Sequence, residues 1–322
     1  MATQKIEATS TADREIVITR LLNAPRELVF KAWTDPQQVV RWWGPTGFTT
    51  TTHEMNVHPG GVWRFTMHGP DGVDYPNRAT FIDIKSPERL EYTHGSDVDP
   101  DPHAFHVTVT FEERGGKTEI TMRSLFPTAA DLDRVVREFH AIEGAHQHLD
   151  RLSEHLAKLD AVALKLSRTF DAPRDLVFKA CTEADRLAQW WGPKGSTVLS
   201  CTQDLREGGG FHYALKVSNL PDVLWGKFIY HEIAPPERLV FTNCFSDEQG
   251  GVTRNPWDEL FPLEILYLQS FTENDGKTTI ETTGIPYGAT EAETENFAKW
   301  NASMTQGFAG TFDQLEAFLA KH

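Results

Sequence analysis

The chain has 322 residues, of which 39% are hydrophobic, including 20 Phe and 9 Trp, and its net charge is −15. Because this is more apolar bulk than one domain usually buries, we expect two folded domains and exclude a disordered chain. Acidic residues outnumber basic ones 24 to 17 in residues 1–160 and 22 to 14 in residues 161–322, which argues against nucleic acid or anionic membranes as partners.

The first half begins with signals for one strand and two short helices. The alternating segment "REIVITRLL" (14–22) predicts a strand, and Asn23 is the expected N-cap of a helix with Pro25 in its first turn. A second short helix is expected from Pro36 to Trp43, ended by Gly44 and the proline after it.

Turn residues then separate a series of alternating segments. The expected strands are 48–57, 62–68, 78–84, 89–93, 105–112 and 118–125. A long amphipathic helix is expected over 129–159, with Ile142 and Leu149 on its apolar stripe, and a matching helix over 292–319. These elements predict an α+β fold in which a mainly antiparallel, curved sheet wraps a C-terminal helix.

The second half repeats the first. "RWWGPTGF" (41–48) returns as "QWWGPKGS" (189–196), and residues 21–50 share 15 identities with residues 169–198. "SPERLEYT" (86–93) likewise returns as "PPERLVFT" (235–242). We therefore expect two domains of one fold, over residues 12–160 and 161–322. The largest insertion in the second copy, within "CFSDEQGGVTRNPWDELFP" (244–262), is either a lid or a tolerated loop.

The order of these motifs resembles the SRPBCC superfamily, also called START or Bet v 1-like, in its Activator of Hsp90 ATPase homologue 1-like branch. The motifs are "APRELVFKAWTDPQQVVRWWGP", "PGGVWRFTMHGPDG", "SPERLEYT", "GGKTEITMR" and "AIEGAHQHLDRLSEHL". The resemblance implies a helix-grip fold with an apolar pocket between sheet and helix for hydrophobic ligands. The co-chaperone of this branch also has an N-terminal Hsp90-binding domain, which nothing here resembles, so Hsp90 is not an expected partner.

Strand alternation and helical spacing predict the pocket residues of the first copy. His146 lies between Ile142 and Leu149 on the helix and is expected to face the sheet, with Glu143 nearby, as a candidate acid or base or as a hydrogen-bonded core histidine. The other expected lining residues are Trp63, Phe65, Met67, Phe105, Val107 and Val109.

The second copy offers aromatic candidates that are either pocket or plain core. These are Tyr213, Trp225, Tyr230, Trp300 and Met304. Cys181, Cys201 and Cys244 lack C-x-x-C spacing, so we expect small buried residues rather than nucleophiles, a disulfide framework or a zinc site.

No nucleotide-binding loop, G-x-S-x-G or H-E-x-x-H motif occurs, so neither a cofactor nor a metal is expected. The sequence shows no secretion signal and no run of 18 apolar residues, which predicts a soluble cytoplasmic protein. The expected function is binding of a hydrophobic or amphipathic small molecule. The alternatives are a cyclase- or hydrolase-like enzyme for aromatic or polyketide-like substrates, and a chaperone-cofactor-like interaction module. Fusion of two copies favours a monomer with an internal pseudo-dimer, or a weak homodimer.

Overall fold

A computed structural model describes residues 11–218, 220 and 222–322 of the chain. Its internal contacts divide it into unit 1, which ends at Ala157, and unit 2, which begins at Lys158. Each unit has its own sheet and its own C-terminal helix, so each is described separately.

Unit 1 follows the order strand, two helices, six strands, two helices. Its elements are β1 (Glu15–Leu22), α1 (Arg26–Thr34), α2 (Pro36–Val39), β2 (Thr49–Met55), β3 (Val62–His68), β4 (Asp74–Lys85), β5 (Arg89–Ser96), β6 (Phe105–Arg114), β7 (Lys117–Leu125), α3 (Ala129–Phe139) and α4 (Ala141–Ala161), whose last residues belong to unit 2.

Unit 2 repeats this order with one added short strand and one continuous closing helix. Its elements are β8 (Leu164–Phe170), α5 (Arg174–Thr182), α6 (Ala184–Trp190), β9 (Ser196–Gln203), β10 (Gly210–Val217), β11 (Val223–Ala234), β12 (Arg238–Ser246), β13 (Val252–Thr253), β14 (Glu264–Asn274), β15 (Lys277–Tyr287) and α7 (Glu291–Leu319).

Each sheet is an antiparallel meander in which the first strand lies at one edge, paired with the last strand. The order is β1-β7-β6-β5-β4-β3-β2 in unit 1 and β8-β15-β14-β12-β11-β10-β9 in unit 2, where β13 pairs with β12 outside that path. The closing helix packs its leucines against the inner face of the sheet, and Leu149, Leu152 and Leu156 are buried. The fold is therefore α+β with two tandem helix-grip domains.

The repeated Trp-Trp-Gly-Pro segment ties the second short helix to the closing helix. Trp42 is fully buried, and its indole N–H donates to the carbonyl of Ala32 over 3.0 Å. Gly44 follows with a φ of +113°, a conformation that favours glycine. Its carbonyl accepts a hydrogen bond from the Arg151 guanidinium of α4 over 2.8 Å.

Unit 2 builds the same joint with different side chains. Trp190 donates to the carbonyl of Ala180 over 2.9 Å, and Gly192 has a φ of +115°. Gln314 of α7 donates to the carbonyls of Trp190, Gly192 and Pro193. Arg151 and Gln314 therefore occupy equivalent positions in the two closing helices.

Three details of the sequence-based expectations are wrong. The residue that caps α1 is Pro25, without a side-chain hydrogen bond, so Asn23 is not the N-cap. The second helix of unit 1 stops at Val39 rather than at Trp43. The long helix expected over 129–159 is broken at His140, whose left-handed φ of 50° separates α3 from α4.

Candidate functional site

The interior of unit 1 is lined by aromatic rings that strand alternation brings to one face. Trp63 and Phe65 are buried and stacked, with ring centroids 4.0 Å apart, and Trp43 packs edge-on against Trp63 at 4.9 Å. Val107 and Val109 of β6 are buried as expected, while Met67 and Phe105 are half-buried. These six sequence-predicted residues lie on the strand faces that were expected to turn inward.

Two histidines lie among these rings. His94 of β5 is 5.7 Å from Phe65 and 5.1 Å from Phe105, measured between ring centroids. His148 of α4 lies against Trp43, with centroids 5.1 Å apart and planes inclined by 33°. Both histidines are half-buried as whole residues.

Burial keeps both imidazoles neutral. It lowers the pKa of His94 to about 4. Burial, with smaller contributions from His94 and Arg151, lowers the pKa of His148 to about 3. Both rings therefore offer one N–H donor and one lone pair at neutral pH rather than a positive charge.

The two histidines differ in their hydrogen bonds. Asn77 donates from Nδ2 to the carbonyl of Tyr75 over 2.7 Å, which directs its Oδ1 towards His94 Nε2 at 3.2 Å. Nε2 is therefore the protonated nitrogen of His94. By contrast, His148 Nε2 and Trp43 Nε1 are buried and have no hydrogen-bond partner among the described residues.

The expected orientation of His146 is wrong. His146 is exposed, and so is Glu143, which accepts a hydrogen bond from Gln147. At 100° per residue, the leucines at 149, 152, 156 and 159 centre on a direction about 60° from His148 and about 100° from His146. The positions of these four leucines in the sequence identify His148 as the histidine on the inward side of α4. The expectation for His146 also relied on Ile142, which is 44% exposed and does not belong to the buried stripe.

The corresponding interior of unit 2 holds a tyrosine. Tyr213 is buried and lies edge-on to Trp191, with centroids 5.9 Å apart and planes inclined by 78°. Asn243 Nδ2 donates to the Tyr213 hydroxyl over 3.2 Å. Burial raises the pKa of Tyr213, and the hydrogen bond from Asn243 opposes that rise. The phenol is therefore neutral, with its oxygen held by Asn243.

Two adjoining cavities open at this end of unit 2. The smaller, of about 130 Å³, is lined by Tyr213, Asn243, Phe261 and Ile265 among others. The larger is a cleft of about 400 Å³. Its lining includes Leu220, Asp222, Ser246, Arg254, Pro256 and Trp257. Both are lined by Leu224, Trp225 and Phe245, so the smaller, inner cavity and the cleft adjoin at these residues.

The inserted segment of unit 2 is fixed to the closing helix. Asp258 accepts hydrogen bonds from Asn296 Nδ2 over 2.7 Å and from Trp300 Nε1 over 2.8 Å. Arg254 forms an ion pair with Glu293, and Phe261 packs on Trp300 at 5.5 Å between centroids. The segment therefore forms one wall of the cleft.

The other candidates of unit 2 have separate surroundings. The Tyr230 hydroxyl accepts from Gln203 over 3.0 Å, Trp300 supports the inserted segment, and Met304 packs half-buried on the core. Trp225 stacks on His212 and lines both cavities. Contact of any of these with a ligand stays a prediction.

The cysteines have raised thiol pKa values because of burial. The pKa is about 12 for Cys181 and about 11 for Cys244, and it is also raised for Cys201. All three are free thiols. At neutral pH they are protonated and poorly nucleophilic.

A family model described as "Activator of Hsp90 ATPase homolog 1-like protein" matches residues 23–157 and again residues 171–320. The chain belongs to this family. Each match covers nearly one whole unit, so the family fold occurs twice. A comparison with curated proteins finds no significant match.

Solved structures resemble either one unit or the whole chain. A protein from Arthrobacter aurescens is 24% identical, covering 47% of this chain and 90% of its own, with a TM-score of 0.43. One from Staphylococcus epidermidis is 25% identical, covering 45% and 90%, with a TM-score of 0.41. The di-domain ARO/CYC BexL from the BE-7585A biosynthetic pathway is 15% identical, covering 95% and 98%, with a TM-score of 0.35.

Among residues 11–218, 220 and 222–322, no group of three His, Cys, Asp or Glu side chains is placed to hold a metal ion. Within the same residues, no helix combines the length and the apolar character needed to cross a membrane.

Proposed function

We propose that this tandem helix-grip protein binds hydrophobic or amphipathic small molecules in the interior of its units. The observation that carries the proposal is the inner cavity of unit 2, which shares three lining residues with an adjoining cleft of about 400 Å³. A concave, mainly apolar site with a few convergent polar groups is the usual form of a small-molecule site. Family membership supports this function, and the cavities that carry it are lined by strands of the sheet and by the inserted segment, without a residue of α7.

The lining of unit 2 indicates an amphipathic ligand. Leu215, Phe261 and Ile265 supply apolar surface in the inner cavity, and the Tyr213–Asn243 pair supplies a fixed donor and acceptor there. Arg254 and Asp222 place polar groups at the cleft. An apolar body in the cavity with a polar end in the cleft would match both surroundings.

The enzyme alternative lacks the residues on which it depended. It required His146 and Glu143 within a pocket, but both are exposed. The cysteine pKa values are raised, which disfavours a thiolate nucleophile. We therefore propose ligand binding in preference to catalysis as the function of this site.

The proposal is tested with N-phenylnaphthylamine, an apolar probe whose fluorescence rises when it leaves water, added to the full chain. Leu224→Trp is expected to weaken binding at least about tenfold, because Leu224 lies where cavity and cleft adjoin and a larger ring would fill the junction. Leu199→Trp is the matched control, since Leu199 is 57% exposed on β9.

Saturable binding that Leu224→Trp weakens and Leu199→Trp leaves unchanged would support the proposal. Equal binding by wild type and Leu224→Trp would overturn the assignment to unit 2. Native mass spectrometry of protein purified from cells gives an independent result, because a co-purifying small molecule released on denaturation would identify the ligand class. Failure of every apolar probe to bind, with an empty mass spectrum, would overturn the function itself.

A further inference from the structure

The hydrogen bonds of Tyr213 in unit 2 leave one donor without an acceptor. Asn243 Nδ2 donates to the Tyr213 hydroxyl over 3.2 Å and to the backbone carbonyl of Lys227 over 3.3 Å. Because a backbone carbonyl can only accept, the amide nitrogen of Asn243 must lie on this side, which fixes the orientation of the amide. The phenol oxygen is therefore the acceptor in its bond with Asn243, and its own proton has to be donated to another group.

The proton of the phenol faces the inner cavity without a partner from the protein. Burial raises the pKa of Tyr213, so the hydroxyl keeps its proton at neutral pH and remains a donor. Within the part of the chain that the structure describes, the bond from Asn243 is the one hydrogen bond of this hydroxyl. Tyr213 is buried and lines the inner cavity, so the cavity is the space from which an acceptor can reach it. Since buried polar groups are nearly always hydrogen-bonded, an acceptor is expected there.

The position of the hydroxyl is fixed by two neighbouring strands. Tyr213 of β10 pairs with Gly226 of β11, and a Cβ atom at Gly226 would lie 2.4 Å from the phenol oxygen. The phenol thus lies directly against the backbone of β11, where a side chain would displace it. Both residues line the inner cavity. A donor held in this way loses little conformational freedom when a ligand binds.

The lining of the inner cavity selects a neutral acceptor. Of the described residues that line it, none carries a charged side chain, and the Cys244 thiol among them is protonated because its pKa is about 11. A carboxylate or phosphate would lose its hydration here without a counter-charge, which costs more than one hydrogen bond returns. A ligand hydroxyl would bring a donor that needs an acceptor of its own. A carbonyl oxygen accepts the phenol proton and requires no further partner.

We propose that the inner cavity of unit 2 recognises a neutral carbonyl group, and that Tyr213 donates the hydrogen bond to its oxygen. This specificity rests on the proposed ligand-binding function and names the ligand class, amphipathic molecules whose apolar body carries a ketone or an ester. Asn243 is the positioning residue. By donating to the phenol oxygen it holds the ring and strengthens the phenol O–H as a donor.

The experiment compares two ligands of nearly the same shape, 2-acetylnaphthalene and 2-isopropenylnaphthalene, in which a CH₂ group replaces the carbonyl oxygen. Both are measured by equilibrium dialysis with the full chain. Tyr213→Phe is expected to weaken binding of the ketone about tenfold, the usual worth of one buried hydrogen bond, and to change binding of the alkene less than about twofold. Because both ligands meet the same variant, a general change in packing affects them equally and cancels in the ratio.

The repeat supplies evidence that the variant folds and a matched control. Unit 1 has Phe65 at the equivalent position, and its ring lies 6.0 Å from Trp43 at 85°, close to the 5.9 Å and 78° between Tyr213 and Trp191. A phenylalanine is therefore accommodated at this place in the fold. Tyr92→Phe is the control, because it removes a buried phenol from β5 of unit 1 and should leave the ratio of the two affinities unchanged.

A spectroscopic readout in wild type makes the test independent of any variant. The carbonyl ¹³C resonance of labelled 2-acetylnaphthalene is expected to lie downfield of its position in cyclohexane when the ketone is bound, and to return towards that position in Tyr213→Phe. A bound resonance equal to that in cyclohexane would overturn the carbonyl site, and so would a ratio of affinities that Tyr213→Phe leaves intact.

Failure of this inference can be told from failure of the proposed function. If the ratio is unchanged but N-phenylnaphthylamine still binds and Leu224→Trp weakens that binding, the cavity binds ligands without reading a carbonyl, and the proposed function stands. If neither naphthalene derivative nor N-phenylnaphthylamine binds to the full chain, both are overturned.

Discussion

Acidification should destabilise unit 1 through His94 and His148. In the folded protein the pKa is about 4 for His94 and about 3 for His148, and both values lie below the ordinary 6.5. The unfolded chain therefore takes up protons at a higher pH than the folded one. The contribution of the two neutral histidines to the free energy of unfolding is fully present above about pH 6.5. It is lost as the pH falls towards their folded-state pKa values.

The magnitude follows from the size of the two shifts. Between pH 7.5 and pH 5 the unfolded histidine becomes almost fully protonated while the folded one stays neutral. At about 1.36 kcal/mol per pKa unit, this lowers the free energy of unfolding by about 2 kcal/mol for each histidine. Because both side chains are only half-buried, contact with water reduces that figure, and we expect about 1 kcal/mol or more from His148 alone.

The assay is urea-dependent hydrogen exchange of the amides in β3 to β6, resolved by mass spectrometry at pH 7.5, 6 and 5. His148→Thr should lose less unfolding free energy than wild type over this range, by about 1 kcal/mol or more. His146→Thr, which alters an exposed position, should follow wild type. Parallel pH curves for wild type and His148→Thr would refute the reasoning, because they would show that His148 does not stay neutral through burial.

Two further predictions concern the joints of the fold. Arg151→Ala should lower the unfolding free energy of unit 1 by about 2 kcal/mol in urea titrations, because Arg151 Nη1 donates to the carbonyls of Gly44, Pro45 and Phe48. Arg151→Gln should lower it by less than about 1 kcal/mol, since a glutamine makes the equivalent hydrogen bonds in unit 2. Asp258→Ala should speed limited proteolysis of the inserted segment, because it removes the acceptor of two hydrogen bonds. Asp258→Asn, which keeps one acceptor oxygen, should speed it less. Equal cleavage rates in wild type and Asp258→Ala would contradict this anchoring role.

The duplication and the fold class could be predicted from the sequence because they depend on local signals. Alternation over the segment that became β3 predicted that Trp63 and Phe65 share the inner face, and both are buried. The glycine and proline after Trp43 predicted a helix stop there, whereas the helix ends earlier, at Val39, and Gly44 adopts the left-handed φ that glycine permits. Periodicity and turn chemistry act over a few residues, so a single sequence contains them.

The chemistry of the sites was decided by tertiary structure. The packing of four leucines determines which face of α4 turns inward, and that face carries His148 rather than His146. Because the helix is broken at His140, α4 is oriented independently of α3. His94 joins His148 although 54 positions separate them in the chain, and Asp258 reaches Trp300 across 42. Strand alternation identifies which strand residues turn inward, whereas only the packing of helix on sheet determines which helix residues do so and which polar atoms meet.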